Sequence, residues 1–134
     1  MTIARRPDWR TRLSAVIEAQ RRSPIENCGW FIDDCVHAMT GTAIFQAYRG
    51  CANVPEGLAL LASDGFPDVC AFLGSLFAEI HPSRARAGDI IAFPNEASGW
   101  SLGIMNGERV TVPYLQFGLG TVPRDTATRA FGVP

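Results

Sequence analysis

Residues 27–41, NCGWFIDDCVHAMTG, constrain this chain more than any other stretch, because they read as one helix with defined ends. Asn27 is a good N-cap, since its side-chain oxygen accepts a hydrogen bond from an otherwise unpaired amide of the first turn. Gly41 supplies the left-handed residue that ends many helices. Between them Cys28, Phe31, Ile32, Cys35 and Met39 follow the spacing of a single apolar stripe. Trp30, Asp33, Asp34 and His37 lie off that stripe, and the two aspartates read as solvated surface. Cys28 lands in the first turn, on the inward edge of a buried helix. There the positive end of the helix dipole favours thiolate and can depress a thiol pKa.

The rest of the chain arranges itself around this helix. Pro7 and Asp8 open a preceding helix over residues 8–22, with Trp9, Leu13, Val16, Ile17 and Gln20 as its narrow apolar face. Ser23-Pro24 breaks it. Residues 42–53 are irregular, with Phe45 and Tyr48 as anchors. Pro55 starts a short helix that carries Leu58, Leu60 and Leu61 to Ser63. Pro67 and Asp68 start a fourth, in which Val69, Phe72, Leu73, Leu76, Phe77 and Ile80 form the strongest helical stripe. It closes at His81-Pro82, because the residue before proline disfavours helix.

From there the period changes. Residues 89–94, 100–105 and 109–114 are short β-rich runs, and Asn106-Gly107 is a strong hairpin signal between the last two. Residues 130–133 add a further strand. Helices first and an antiparallel sheet second predict an α+β domain over residues 1–134, with the 27–41 helix packed on the sheet.

Composition narrows the function classes. Hydrophobic content of 47% with 19% charged residues describes a globular chain, and a net charge of −1 gives no reason to expect nucleic acid. No apolar run approaches the roughly 18 residues of a membrane span, so no membrane insertion is expected. The opening MTIARRPDWR is basic without the apolar core of a secretion signal, which predicts a soluble chain made in a cytoplasm. Six arginines precede residue 23, against Asp8 and Glu18; the first helix presents either a solvated face or a docking surface for an acidic partner. Cys28, Cys35, Cys51 and Cys70 have irregular spacing and no C-x-x-C pair. Cys28 and Cys35 stand about 10 Å apart on one helix. Free thiols, with neither metal nor cofactor, are the expectation.

The order of motifs carries a resemblance. Asn27-Cys28 opens the central helix, Ala87-Gly88-Asp89-Ile90-Ile91-Ala92-Phe93 follows, and then Ser101-Leu102-Gly103-Ile104. This resembles the NlpC-type papain-like cysteine hydrolases, where the corresponding motifs are usually D-C, a G-D strand and H-V-G-I. The chain is also similar to a phage-associated branch of that superfamily, encoded among tail genes of siphophages, prophages and gene transfer agents. The shared features are an R-x-x-W-R-x-R-L-like opening helix (residues 5–13), an A-M-T-G helix end (38–41) and a G-x-R-V hairpin exit (107–110).

The resemblance implies a papain-like fold with Cys28 at the nucleophile position. It places Ser101 where the family carries its histidine. The usual W-G lead-in is replaced by Ser23-Pro24-Ile25-Glu26, and the third, orienting position falls in Val112-Pro113-Tyr114, with Gln116 the nearby amide. Papain-like acyl transfer needs a base within about 3 Å of the thiol, and a serine hydroxyl is no base at neutral pH. His37 lies about 13 Å along the helix from Cys28 and half a revolution round it. His81, ending the fourth helix, reads as a cap or turn residue or as a substitute base. Trp30 and Trp100 read as core or interface aromatics, or as the lining of a sugar groove.

Three functions remain. The first is a catalytically degenerate papain-like domain, a structural or adaptor subunit of a phage-type tail tip, made in the host cytoplasm and assembled into a virion tail. Its partners would be other tail-tip or hub proteins, with peptidoglycan as a further candidate. Such a subunit should expose an apolar patch, for which Phe117, Leu119, Val122 and Phe131 are candidates. The second is an active cysteine endopeptidase or amidase of peptidoglycan, with Cys28 as nucleophile in a polar cleft that holds a base. The third is a small-ligand binder with a largely apolar pocket at Cys28.

Overall fold

The computed structural model describes residues 2–23, 27–96, 98–114 and 117–134. Its helices come first: α1 (Trp9–Gln20), α2 (Cys28–Thr40), α3 (Val54–Ser63) and α4 (Val69–Leu76). The strands follow as β1 (Ala78–Ile80), β2 (Ile90–Asn95), β3 (Gly99–Asn106), β4 (Arg109–Tyr114), β5 (Gly118–Pro123) and β6 (Arg129–Gly132). They form one antiparallel sheet in the order β1-β6-β2-β3-β4-β5. The class is α+β, helices N-terminal and strands C-terminal.

Helix α2 has the ends its sequence predicts. The Asn27 side chain accepts from the Gly29 amide at 2.7 Å, and Gly41 takes φ 82° with its N–H on the carbonyl of His37. Phe31, Ile32, Cys35, Val36 and Met39 are fully buried. They pack with Leu13 and Ile17 of α1 and Leu73 of α4 against Ile90, Ala92, Leu102, Ile104 and Phe131 of the sheet. The alternate residues Ile91, Met105, Val110 and Ala130 build a second, smaller cluster on the other face, as the period of two in a strand requires.

Asp33 departs from the expected solvated surface. It is 2% exposed, and its Oδ1 accepts from the amides of Ile44 and Phe45 at 2.7 and 3.1 Å. Arg49 Nε donates to Oδ2 at 3.0 Å. A carboxylate off the apolar stripe thus becomes the anchor of the irregular segment after Gly41. Asp34, half-buried, takes the second arm of Arg49 and a bond from Gln20.

The fourth helix is shorter than its apolar stripe predicts. It begins as expected, with Asp68 capping the Ala71 amide at 2.7 Å, but stops at Leu76. Phe77 is extended, and Ala78, Glu79 and Ile80 pair with Gly132, Phe131 and Ala130. The ladder offered by β6 takes these residues out of the helical pattern. The expected 130–133 strand is therefore an inner strand, β6, set between β1 and β2. β5 was not anticipated at all, since GLGTVP has neither alternation nor bulky β-formers.

Candidate functional site

The β3–β4 ladder pairs only Ile104 with Thr111, Met105 with Val110 and Asn106 with Arg109. Both strands continue past it, β3 back to Gly99 and β4 on to Tyr114. Pro113 gives a physical reason for the end of the ladder. In an antiparallel ladder, alternate residues send both backbone groups to the same neighbour. The Met105 amide donates to Asp89 on the β2 side. Ile104, Leu102 and Trp100 therefore face β4, and on β4 the residue opposite Leu102 is Pro113, which has no N–H to give.

A cleft of about 690 Å³ lies beyond the end of that ladder. Trp100, Ser101 and Leu102 border it from β3, Val112, Pro113 and Tyr114 from β4, and Asn27 to Trp30 from the start of α2. Cys51, Asn53, Val54, Leu58 and Leu61 add a helical wall, and Phe93, Pro94 and Asn95 complete the strand side. The described lining contains no histidine, aspartate, glutamate, lysine or arginine. Its surface is mostly apolar.

Cys28 and Ser101 both border this cleft, but from opposite faces of β3. Their chemistry differs from the expectation. Burial pushes the Cys28 thiol above its ordinary pKa; the Leu102 backbone and the first-turn amides pull the other way and do not prevail. The expected depression by the helix start is therefore corrected: desolvation outweighs the dipole here. Ser101 sits opposite Phe93 in the ladder, and its hydroxyl receives Asn95 Nδ2 at 2.7 Å. Strand alternation turns it to the Phe93 face, whereas Cys28 packs with the helix-side core.

The remaining candidates fall elsewhere. His37 is exposed on α2 and borders a shallow groove with Ala15, Val16 and Asp34. His81 does not end a helix. It follows β1, is exposed, and caps a short 3-10 turn by accepting the Ser83 amide at Nδ1, 3.1 Å away. Neither histidine borders the cleft. Trp30 and Trp100 both border it, half-buried; the Arg49 guanidinium lies 5.5 Å from the Trp30 ring, and Arg129 lies 5.3 Å from Trp100. Gln116 and Pro24 to Glu26 lie outside the described residues.

The proposed apolar patch is corrected in part. Phe131 is fully buried in the core, Leu119 and Val122 are half-buried, and Phe117 stands 82% exposed at the β4–β5 turn. The apolar surface lies instead at the cleft, whose rim includes the exposed Val54 and Tyr114. Tyr48, Asn53 and Asn95 also border the cleft, and the sequence carried no signal that they would.

Cys28, Cys35, Cys51 and Cys70 are all free thiols. Among the described residues no group of three histidine, cysteine, aspartate or glutamate side chains is placed to hold a metal ion. Nor is any helix of them long and apolar enough to cross a membrane. No curated protein and no solved structure matches the chain. A family model does match, over residues 4–133, and the chain belongs to that family, described as a domain of unknown function (DUF6950).

Proposed function

We propose that this chain is a catalytically degenerate papain-like domain of the NlpC type that binds through its cleft and does not cleave. One observation carries the reading. The cleft at Cys28 is largely apolar, and none of its described lining residues is a base. Burial also holds the thiol protonated at neutral pH. Thiol chemistry needs a thiolate and a proton donor for the leaving amine, and this arrangement favours neither. On the resemblance of the motifs at residues 5–13, 38–41 and 107–110, the domain serves as a structural or adaptor subunit of a phage-type tail tip. It is made in the host cytoplasm and joined there to other tail-tip or hub proteins.

The test is peptidoglycan hydrolysis by the wild type beside Cys28→Ala, with release of free amines measured over hours. Equal, background release from both is expected. Release by the wild type that disappears in Cys28→Ala would establish instead an active endopeptidase or amidase. The adaptor role is tested by mass spectrometry of purified tail particles, in which the chain should recur at fixed stoichiometry. Its absence from such particles would sink that role.

A further inference from the structure

We propose that the arginines gathered around Trp9 form a docking surface for a short acidic peptide segment of a partner protein. None of them borders the cleft, so this surface is independent of what happens at Cys28. The arginines before residue 23 read from sequence as either a solvated face or a docking surface, and the structure divides them. Arg12 pairs with Asp8 at 2.7 Å and Arg21 with Glu18 at 3.1 Å, each exposed pair within a turn of helix. Arg5, Arg6 and Arg10 instead collect where α1 begins and α2 ends. The Arg5 guanidinium stands 4.1 Å from the Trp9 ring and that of Arg10 stands 4.5 Å from it. Arg6 lies against Gly41 at the end of α2, with its amide on the Met39 carbonyl. Arg86, in the turn before β2, joins them, close enough for its charge to act on Arg5.

The charge of this cluster is not answered within the chain. Asp89 takes Arg5 at 2.8 Å and already accepts the Val133 and Arg86 amides. Arg6, Arg10 and Arg86 are exposed and form no ion pair among the described residues. Burial, with repulsion from Arg86 and Arg10, pushes the Arg5 guanidinium below its ordinary pKa against the pull of Asp89. Like charges held together repel, and an anion set among them relieves that repulsion. Arg10 is also ordered before any partner arrives, because its guanidinium rests on the indole, which lowers the entropy cost of pairing it with a carboxylate. Four arginines against one aspartate leave an excess of three positive charges here, in a chain whose net charge is −1. The remainder is therefore net negative. A long polyanion such as a nucleic-acid strand would run from this patch onto like charge, whereas a short acidic segment would not. That limit on length, with the fit of guanidinium to carboxylate, selects an acidic peptide.

The probe is the blocked peptide acetyl-Asp-Glu-Leu-Glu-Asp-amide, titrated into labelled protein at about 20 mM salt, where screening is weak. The Trp9 indole N–H and the Nε–H resonances of Arg10 and Arg86 are followed. Saturable shifts at all of them are expected, and salt raised to about 150 mM should weaken binding severalfold. Arg10→Glu combined with Arg86→Glu should weaken it by about tenfold, since two attractive contacts become repulsive. The undisturbed spectrum of the sheet core reports that this variant is folded. Arg21→Glu combined with Arg22→Glu, the same change of net charge beyond the other end of α1, should weaken binding far less. An equal loss in the two double variants would mean attraction by net charge alone and overturn the inference. Three comparison ligands are the neutral acetyl-Asn-Gln-Leu-Gln-Asn-amide, a short oligothymidylate and inorganic phosphate, and each should bind more weakly than the acidic peptide. Equal binding by any of them would overturn the inference, as would the lack of a saturable shift at millimolar acidic peptide.

Discussion

The Arg5 guanidinium meets the carboxylate of Asp89 at 2.8 Å, with Asp89 only 1% exposed. Asp89 Oδ1 also accepts the Val133 amide at 3.0 Å, and Oδ2 accepts the Arg86 amide at 2.8 Å. Arg5 reaches the carbonyls of Val133 and Ala87 with its other nitrogens. One carboxylate thus ties the N-terminal arm, the entry to β2 and the C-terminus together. The arginine of the opening segment and the aspartate of the G-D strand are used on each other. Asp89→Ala leaves a buried cation and two amides without their acceptor. It should lower the unfolding free energy by about 3–5 kcal/mol, read by urea denaturation. A loss under about 1 kcal/mol would show that the network is dispensable.

Asp33 does similar work for residues 44–49. Asp33→Ala should cost about 3 kcal/mol, the range for breaking a buried, hydrogen-bonded charge. The Ile44 and Phe45 amides should lose their protection from hydrogen exchange in the same variant. Protection that survives would mean the segment is held by its aromatic contacts alone, such as the Phe45–Phe72 pair at 5.2 Å.

Pro113→Val restores a backbone N–H opposite Leu102. The β3–β4 ladder should then extend by one pair and the cleft should narrow. The amide at 113 is expected to exchange slowly. Fast exchange at 113 would show that proline is not what ends the ladder.

Stability should fall in alkali. Burial raises the thiols of Cys28 and Cys35, and pushes Cys70 up to about 12. Tyr48, buried and bonded to Asp64, is also raised to about 12. In the unfolded chain thiols ionise near about 8.5, so the unfolded state releases protons first. The contribution is complete below that pH and shrinks as pH rises, by up to about 1.4 kcal/mol per unit for each withheld proton. Denaturant midpoints should be level from pH 6 to about 8 and decline beyond. Cys70→Ala should make the decline shallower. A midpoint that holds to pH 10.5 would contradict the buried state of these thiols. In the same range Cys28 should alkylate more slowly than free cysteine at every pH.

Local chemistry determined much of this protein from sequence alone. The caps of α2, the hairpin at Gly107 (φ 71°) and the class α+β follow from nearest-neighbour rules in which each residue's partner lies within a turn. So does the position of Cys28 at a helix start. Tertiary structure decided what distant partners control. β6 drew Ala78 to Ile80 out of a helical pattern by pairing with them, a partner about 50 residues away in sequence that no local rule includes. Asp33 looked solvated until the amides of Ile44 and Phe45 came to it. The thiol of Cys28 was raised by burial that no window of sequence measures. Pro113 was visible as a proline in a strand, but only the register showed that it stands across from Leu102, at the end of the ladder. Burial and register are sums over the whole chain, and that is why they were decided last.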